Sequence, residues 1–130
     1  MESGRQHLTY LDTHAAVWFC TGEVALPESS LRLIEADELR LSPMVLLEMK
    51  FLHDVGRLNL GPEGWLHILE SDFGVSICPI PFRTVAIIAY GETWTRDPFD
   101  RLIVAQAKAG GGKLITKDRR IHANFNGAVW

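Results

Sequence analysis

Two carboxylates three residues apart, Asp97 and Asp100, open the apolar stretch Arg96-Asp97-Pro98-Phe99-Asp100-Arg101-Leu102-Ile103-Val104-Ala105-Gln106-Ala107. Pro98 suits the first position of a helix, where no backbone N–H is needed. The residue before a proline avoids the α region, so Asp97 suits the N-cap. Asp100 then falls at the third helical position, on the same side. Taken alone, the pair reads as capping of orphan N–H groups and of the helix dipole. The other acids of the chain point to further chemistry.

Asp12 ends a short β-prone run, Leu8-Thr9-Tyr10-Leu11. Asp118 lies two residues past another such run, Lys113-Leu114-Ile115-Thr116. Glu48 interrupts an apolar helical face, with Met44 and Leu52 at i−4 and i+4. A carboxylate there costs several kcal/mol unless it is paired or metal-bound. In open parallel sheets, ligands bind outside the carboxyl ends of the strands. Asp12, Asp118 and the Asp97/Asp100 helix start all fall on that edge. Four or five carboxylates there repel one another, and the sequence offers no matching set of buried cations. A divalent ion is the natural partner, and oxygen donors suit Mg²⁺ or Mn²⁺. Such a site can activate water and hold a phosphate.

The elements that must position these acids follow from periodicity and punctuation. Strands are expected at 8–11, 39–41, 75–80 and 113–116, with an edge strand at 128–130. Helices are expected at 13–20, 28–38, 44–55, 63–70, 82–90 and 98–109. In the second helix Leu31, Ile34 and Leu39 are expected to face inward. The helix after the Ser42-Pro43 cap is apolar nearly all round and is expected to be buried on most sides. Strands alternating with helices imply an α/β fold with a parallel sheet. Gly110-Gly111-Gly112 is not a phosphate loop. It follows a helix and precedes a strand, and Leu114 follows Lys113 where a Ser or Thr would be needed.

The chain has 130 residues, 47% apolar and 22% charged, with 13 basic against 16 acidic side chains for a formal charge of −3. That suits one globular domain over residues 8–130, after a polar leader at 1–7. So acidic a chain is no general nucleic-acid coater, and any such contact needs a local basic patch or a bound cation. Arg96, Arg101, Lys117, Arg119 and Arg120 flank the acids and are candidates to grip phosphates. Trp94, in a polar loop beside them, is the candidate for base stacking. Trp18 and Trp65 read as core or dimer contacts, and His14 as a helix-start histidine with a structural hydrogen bond. Cys20 and Cys78 lack zinc-type spacing and read as free thiols in a reducing compartment. No apolar run approaches the ~18 residues of a membrane span. With no signal-peptide pattern in the leader, a cytoplasmic protein is expected.

Tyr10-Leu11-Asp12-Thr13-His14, Ser42 through Glu48 to Gly56-Arg57-Leu58, Asp97-Pro98-Phe99-Asp100-Arg101 through Ala107, and Leu114-Ile115-Thr116-Lys117-Asp118 come in a distinctive order. That ordered set resembles the PIN-domain nucleases, and most of all the VapC-type toxins of bacterial toxin–antitoxin pairs. The resemblance runs from Leu8 to Trp130. It implies a three-layer α/β/α fold with a central parallel sheet of four to five strands. It also implies Mg²⁺- or Mn²⁺-dependent hydrolysis of RNA. The family's acids fall on Asp12, Glu48, Asp100 and Asp118, with Asp97 matching an acid common in the subgroup and Thr116 a site-supporting hydroxyl. Homodimers are implied, as is an antitoxin whose C-terminal segment crosses the acidic groove. One departure is the loop before Arg96, where a Leu-Pro pair and a histidine are frequent and Gly91-Glu92-Thr93-Trp94-Thr95 stands here.

Two rival functions follow from the same residues. A phospho-aspartyl phosphatase with Asp12 as nucleophile wants a second Asp two residues on, where His14 stands. A catalytically silent binding module of the same fold is the other.

Overall fold

In a computed structural model the described residues run from His7 to Trp130, so all but the last residue of the expected leader lies outside them. Five parallel strands form the sheet: β1 (Leu8–Leu11), β2 (Glu38–Leu41), β3 (Ser76–Ile77), β4 (Lys113–Ile115) and β5 (Ala128–Val129). Their order is β3-β2-β1-β4-β5. Thr9 pairs with Leu39 on one side and Lys113 on the other. The chain steps outward from β1 to β3, then crosses back to β4 and continues to β5. Right-handed crossovers therefore put the first helices on one face of the sheet and the later ones on the other. That makes the α/β/α sandwich, with a switch in strand order between β1 and β4.

Seven helices connect the strands: α1 (Thr13–Thr21), α2 (Glu28–Ala36), α3 (Pro43–Asp54), α4 (Pro62–Phe73), α5 (Phe82–Ala89), α6 (Pro98–Gly110) and α7 (Arg119–Asn124). Leu11, Leu41, Leu114 and Ile115 of the strands are fully buried, with Val45 and Met49 of α3, Leu69 of α4 and Val104 of α6. The caps are as their sequences suggest. Ser42 accepts from Met44 N at 3.1 Å with Pro43 inside the first turn of α3. Asp97 accepts from Phe99 N at 2.8 Å with Pro98 inside the first turn of α6.

The triple glycine is a packing device. Gly111 takes the left-handed C-cap conformation of α6, φ +67°. A Cβ on Gly112 would stand 2.7 Å from the Leu8 carbonyl oxygen, and one on Gly110 would overlap the Tyr10 ring. Backbone at these points is pressed onto β1, which only glycine permits.

Several expectations change. Helix α2 stops at Ala36, and Leu39 is buried as part of β2 instead. Its inward positions are Ser30, Leu33 and Ile34, spaced i, i+3, i+4, which turns Leu31 out to 42% exposure. Strand β3 is only two residues long, since Cys78 N still bonds Leu41 O at 2.8 Å but Pro79 has no N–H to continue the ladder. Helix α3 is not buried on most sides. Leu47, Phe51 and Val55, one turn apart along it, are each more than half exposed. Helix α7 is an addition to the elements expected from the sequence.

Candidate active site

The carboxyl end of β1 delivers Asp12 directly. Its backbone N–H donates to Ile115 O at 3.0 Å, and its side chain caps α1 by accepting from Thr13 N at 2.8 Å. The other carboxylate oxygen accepts from Thr116 Oγ1 at 2.6 Å. Thr116 follows β4 and is fully buried; its hydroxyl oxygen also accepts from Asp118 N at 3.1 Å. One hydroxyl thus ties the ends of two adjacent strands, at the switch in strand order where open sheets bind ligands. Asp118 caps α7, accepting from Arg120 N at 2.8 Å and Ile121 N at 3.3 Å.

Glu48 reaches the same place from the middle of α3, where its Oε1 accepts from Thr13 Oγ1. Asp97 and Asp100 arrive on the first turn of α6. The two helices are tied through a buried bond from Ser42 Oγ to Gln106 Oε1 at 3.2 Å. Asp12, Glu48, Asp97, Asp100 and Asp118 line one open cavity of about 440 Å³, completed by His14, Ala15, Trp18 and Lys117. All five acids singled out in the sequence therefore share one pocket, and Thr116 stands behind it.

The electrostatics are those of crowded like charges. Burial and then the neighbouring Asp97, Asp12, Asp118 and Glu48 push Asp100 up to about 7. Burial raises Glu48, with Asp12 and Asp97 adding to it and the Thr13 hydroxyl opposing. Burial raises Asp12 too, opposed by the hydrogen bonds from Thr116 and Thr13 and by nearby His14, and reinforced by Asp118. Asp12, Glu48 and Asp100 hold their charge reluctantly, first because they are buried and then because other carboxylates face them.

Among the described residues, no three His, Cys, Asp or Glu side chains already converge as a ligand cluster. To hold a cation, the oxygen donors that line the pocket would have to draw inward. Their chemistry fits a hard divalent ion, and their raised proton affinity is the mark of a site short of positive charge.

The basic and aromatic candidates divide. Lys117 lines the pocket, with its Nζ 5.8 Å from the Trp18 ring centroid. Arg96 and Arg119 are exposed nearby in sequence but are not part of the pocket wall. Arg101 Nε donates to Thr95 O at 2.7 Å, which holds the loop before α6. Trp94 Nε1 donates to Glu92 Oε1 at 2.8 Å, and Arg120 donates to Trp94 O. That tryptophan is tied into the loop's own scaffold. Trp65 is core at 3% exposure, whereas Trp18 is half-buried at the pocket wall. His14 is exposed there beside it, ring centroids 5.6 Å apart. Thr13 and Glu92 carry roles the sequence reading missed. Thr13 had a signal, a hydroxyl next to the strand-end acid; a buried acid in a polar loop had none.

A pocket of carboxylates at the switch point of a five-stranded parallel sheet defines the class, and the comparisons agree with it. The family model described as "PIN domain" matches residues 9–125, and the chain belongs to that family. Within it the chain is 34% identical over 118 residues to Ribonuclease VapC22 of Mycobacterium tuberculosis, covering 88% of this chain and 89% of that protein. Similar solved folds include VapBC2 from Rickettsia felis bound to a DNA fragment from its promoter. It has a TM-score of 0.65 and 20% identity, covering 92% of this chain and 94% of that one. A toxin–antitoxin complex from Klebsiella pneumoniae also has a TM-score of 0.65, at 17% identity, covering 94% and 96%.

Proposed function

We propose that the protein is a metal-dependent endoribonuclease, the toxin of a toxin–antitoxin pair. The observation that carries this reading is the gathering of Asp12, Glu48, Asp97, Asp100 and Asp118 in one cavity, none of them in a salt bridge among the described residues. The 34% identity to a VapC ribonuclease supports RNA as the substrate. A bound Mg²⁺ or Mn²⁺ supplies charge neutralisation at the phosphate and activation of water.

The chain's own residues would do the rest. Asp12, Glu48 and Asp100 hold the cation, and Asp118 joins them. Asp97 is committed to capping through one oxygen, which would leave the other free to help hold a cation. Thr116 fixes the carboxylate plane of Asp12, and Thr13 that of Glu48. Lys117 draws the substrate phosphate to the pocket mouth. Before a cation binds, Asp100 stands at about 7, so loading the site near neutral pH would displace a proton from it.

The test is RNA cleavage with added Mn²⁺. Asp12→Asn and Asp100→Asn proteins should fold and lose cleavage; full activity in either would remove the proposal. Sequencing RNA ends after brief expression, wild type against Asp12→Asn, would identify the target.

An antitoxin is the partner, since similar folds are found in toxin–antitoxin complexes. A homodimer is supported by apolar side chains the core does not use: Leu47, Phe51 and Val55 from α3, with Phe82, Ile87 and Tyr90 from α5. Helix α6 packs against both helices, so the two rows flank one element. Sedimentation should give a dimer, shifted toward monomer by Phe51→Asp. Among the described residues no helix is long and apolar enough to cross a membrane. The reading is of a cytoplasmic enzyme.

A further inference from the structure

Trp18 is half-buried on α1, one turn after His14, and lines three cavities, two of which also take in His14. One of those two is the acidic pocket. The other, of about 520 Å³, is lined by His14, Val17, Glu23, Leu52, Arg57 and Leu58 as well as Trp18. The indole therefore stands where the two clefts meet. Carboxylates lie on one side of it, and on the other a cleft of mixed character where Arg57 and Glu23 stand among Val17, Leu52 and Leu58. Lys117 Nζ stands 5.8 Å from the ring centroid, and the His14 ring 5.6 Å away at a 40° tilt. Trp130 braces the indole edge-on at 5.9 Å.

A large aromatic left partly exposed, braced from behind and set beside the Lys117 ammonium at the wall of the acidic pocket has a definite chemistry. Nucleobases stack on such rings whatever their identity, because every base has a π face. The flanking cations meet the backbone charge that comes with the base. Trp94, the other candidate, has its indole N–H and its carbonyl already committed within its loop.

We propose that Trp18 is the base-stacking platform of the RNA site. The nucleotide adjoining the scissile phosphate lays its base on the indole at the junction of the clefts. Lys117 meets the phosphate at the pocket mouth, and Arg57 meets the next one across the second cleft. This deepens the ribonuclease reading and rests on it. It assigns Trp18 to substrate binding and the acids to the reaction.

Two measurements test the proposal. The first is steady-state cleavage, with Mn²⁺, of a short single-stranded oligoribonucleotide carrying a known cut site. The intact substrate is compared with versions having one abasic riboside on either side of the cut. Trp18→Leu should raise KM roughly tenfold, within the range of lost base stacking, and leave kcat within about threefold. Trp18→Phe should recover most of the loss. For the wild type, one abasic position should raise KM as much, and on that substrate Trp18→Leu should add nothing.

The second measurement is anisotropy of a labelled, randomised 12-nucleotide RNA with the Asp12→Asn protein, with and without Trp18→Leu. Binding should weaken by a similar factor. RNA binding indifferent to Trp18 would overturn the proposal and leave the ring as core or protein-docking surface. An equal penalty from Trp18→Leu on intact and abasic substrates would overturn it as well, because the ring would then be only structural. A wild type that binds RNA in a Trp18-dependent way yet cuts none would sink the ribonuclease reading and leave the stacking assignment standing.

Discussion

The molecule buries carboxylates in two places and treats them oppositely. Glu92, in the loop before α6, is more deeply buried than the pocket acids, at 4% exposure. It is fully answered from within the chain. Lys108 Nζ lies 2.7 Å from one carboxylate oxygen, and Trp94 Nε1 donates to the other at 2.8 Å. Among the described residues, Asp12 and Glu48 of the pocket accept hydrogen bonds from hydroxyl and backbone donors only, and Asp12, Glu48 and Asp100 are all pushed toward protonation. A buried charge with an internal partner is structure. A group of buried charges without one is a request for a partner from outside. The contrast separates an acid that holds the fold from acids that the fold holds ready.

That contrast can be broken by exchanging the consequences. The largest expected effect is on activity. Asp12→Asn or Asp100→Asn should lower cleavage by about a thousandfold or more, on the order of 4 kcal/mol of transition-state stabilisation. Neither should cost much stability, because each relieves a repulsion. Glu92→Gln should do the reverse. It removes the charge that answers Lys108, whose side chain is 35% exposed. With that exposure discounted, the loss is about 2 kcal/mol. For a domain of this size that corresponds to a melting temperature lower by roughly 8 °C. Cleavage at 25 °C should stay within about tenfold. If Glu92→Gln abolished cleavage in a protein that still melted normally, the division between the two regions would be wrong.

The site was more legible in the sequence than the frame around it. Asp97-Pro98 and Ser42-Pro43 announced their caps because proline removes alternatives for its neighbour. Glu48 announced itself by interrupting an apolar face. These are local signals, and the pocket follows from them once strands and helices alternate. What was not legible depends on partners far along the chain. Glu92 looks like one more polar loop residue until Lys108, sixteen positions later, is folded over it. Trp18 looked like core because an indole on an apolar helix usually is; its place in the wall of two cavities depends on residues far along the chain, from Glu48 and Arg57 to Asp118. Helix α7 was missed because six residues carry too short a period to stand out, although Asp118 gave its cap. The all-apolar α3 misled in another way. Periodicity reports which faces are apolar, but not whether the covering surface belongs to the same chain.

The smallest expected effect sharpens the comparison most, because it reads the pocket's repulsion directly. Asp100 sits near 7 in the folded protein against 3.8 for the free group. A raised folded value means that the folded state keeps its proton longer than the unfolded one. Below pH ~4 both states are protonated, and Asp100 makes no pH-dependent difference. As pH rises from ~4 to ~7 the unfolded state ionises first, so stability falls, and above ~7 the loss is complete. In EDTA, then, the wild type should melt at a lower temperature at pH 8 than at pH 5. Asp100→Asn should be more stable than the wild type at pH 8 by roughly 3–5 °C, after discount for solvent screening, and the gap should close toward pH 4. Mg²⁺ at about ten times its Kd should add about 1.4 kcal/mol to the wild type and much less to Asp100→Asn. Glu92 has its own cation, so Glu92→Gln should keep the full response to Mg²⁺ despite its lower starting point. A wild type whose melting is indifferent to both pH and Mg²⁺ would mean that the pocket acids are as internally satisfied as Glu92, and nothing would then distinguish the two regions.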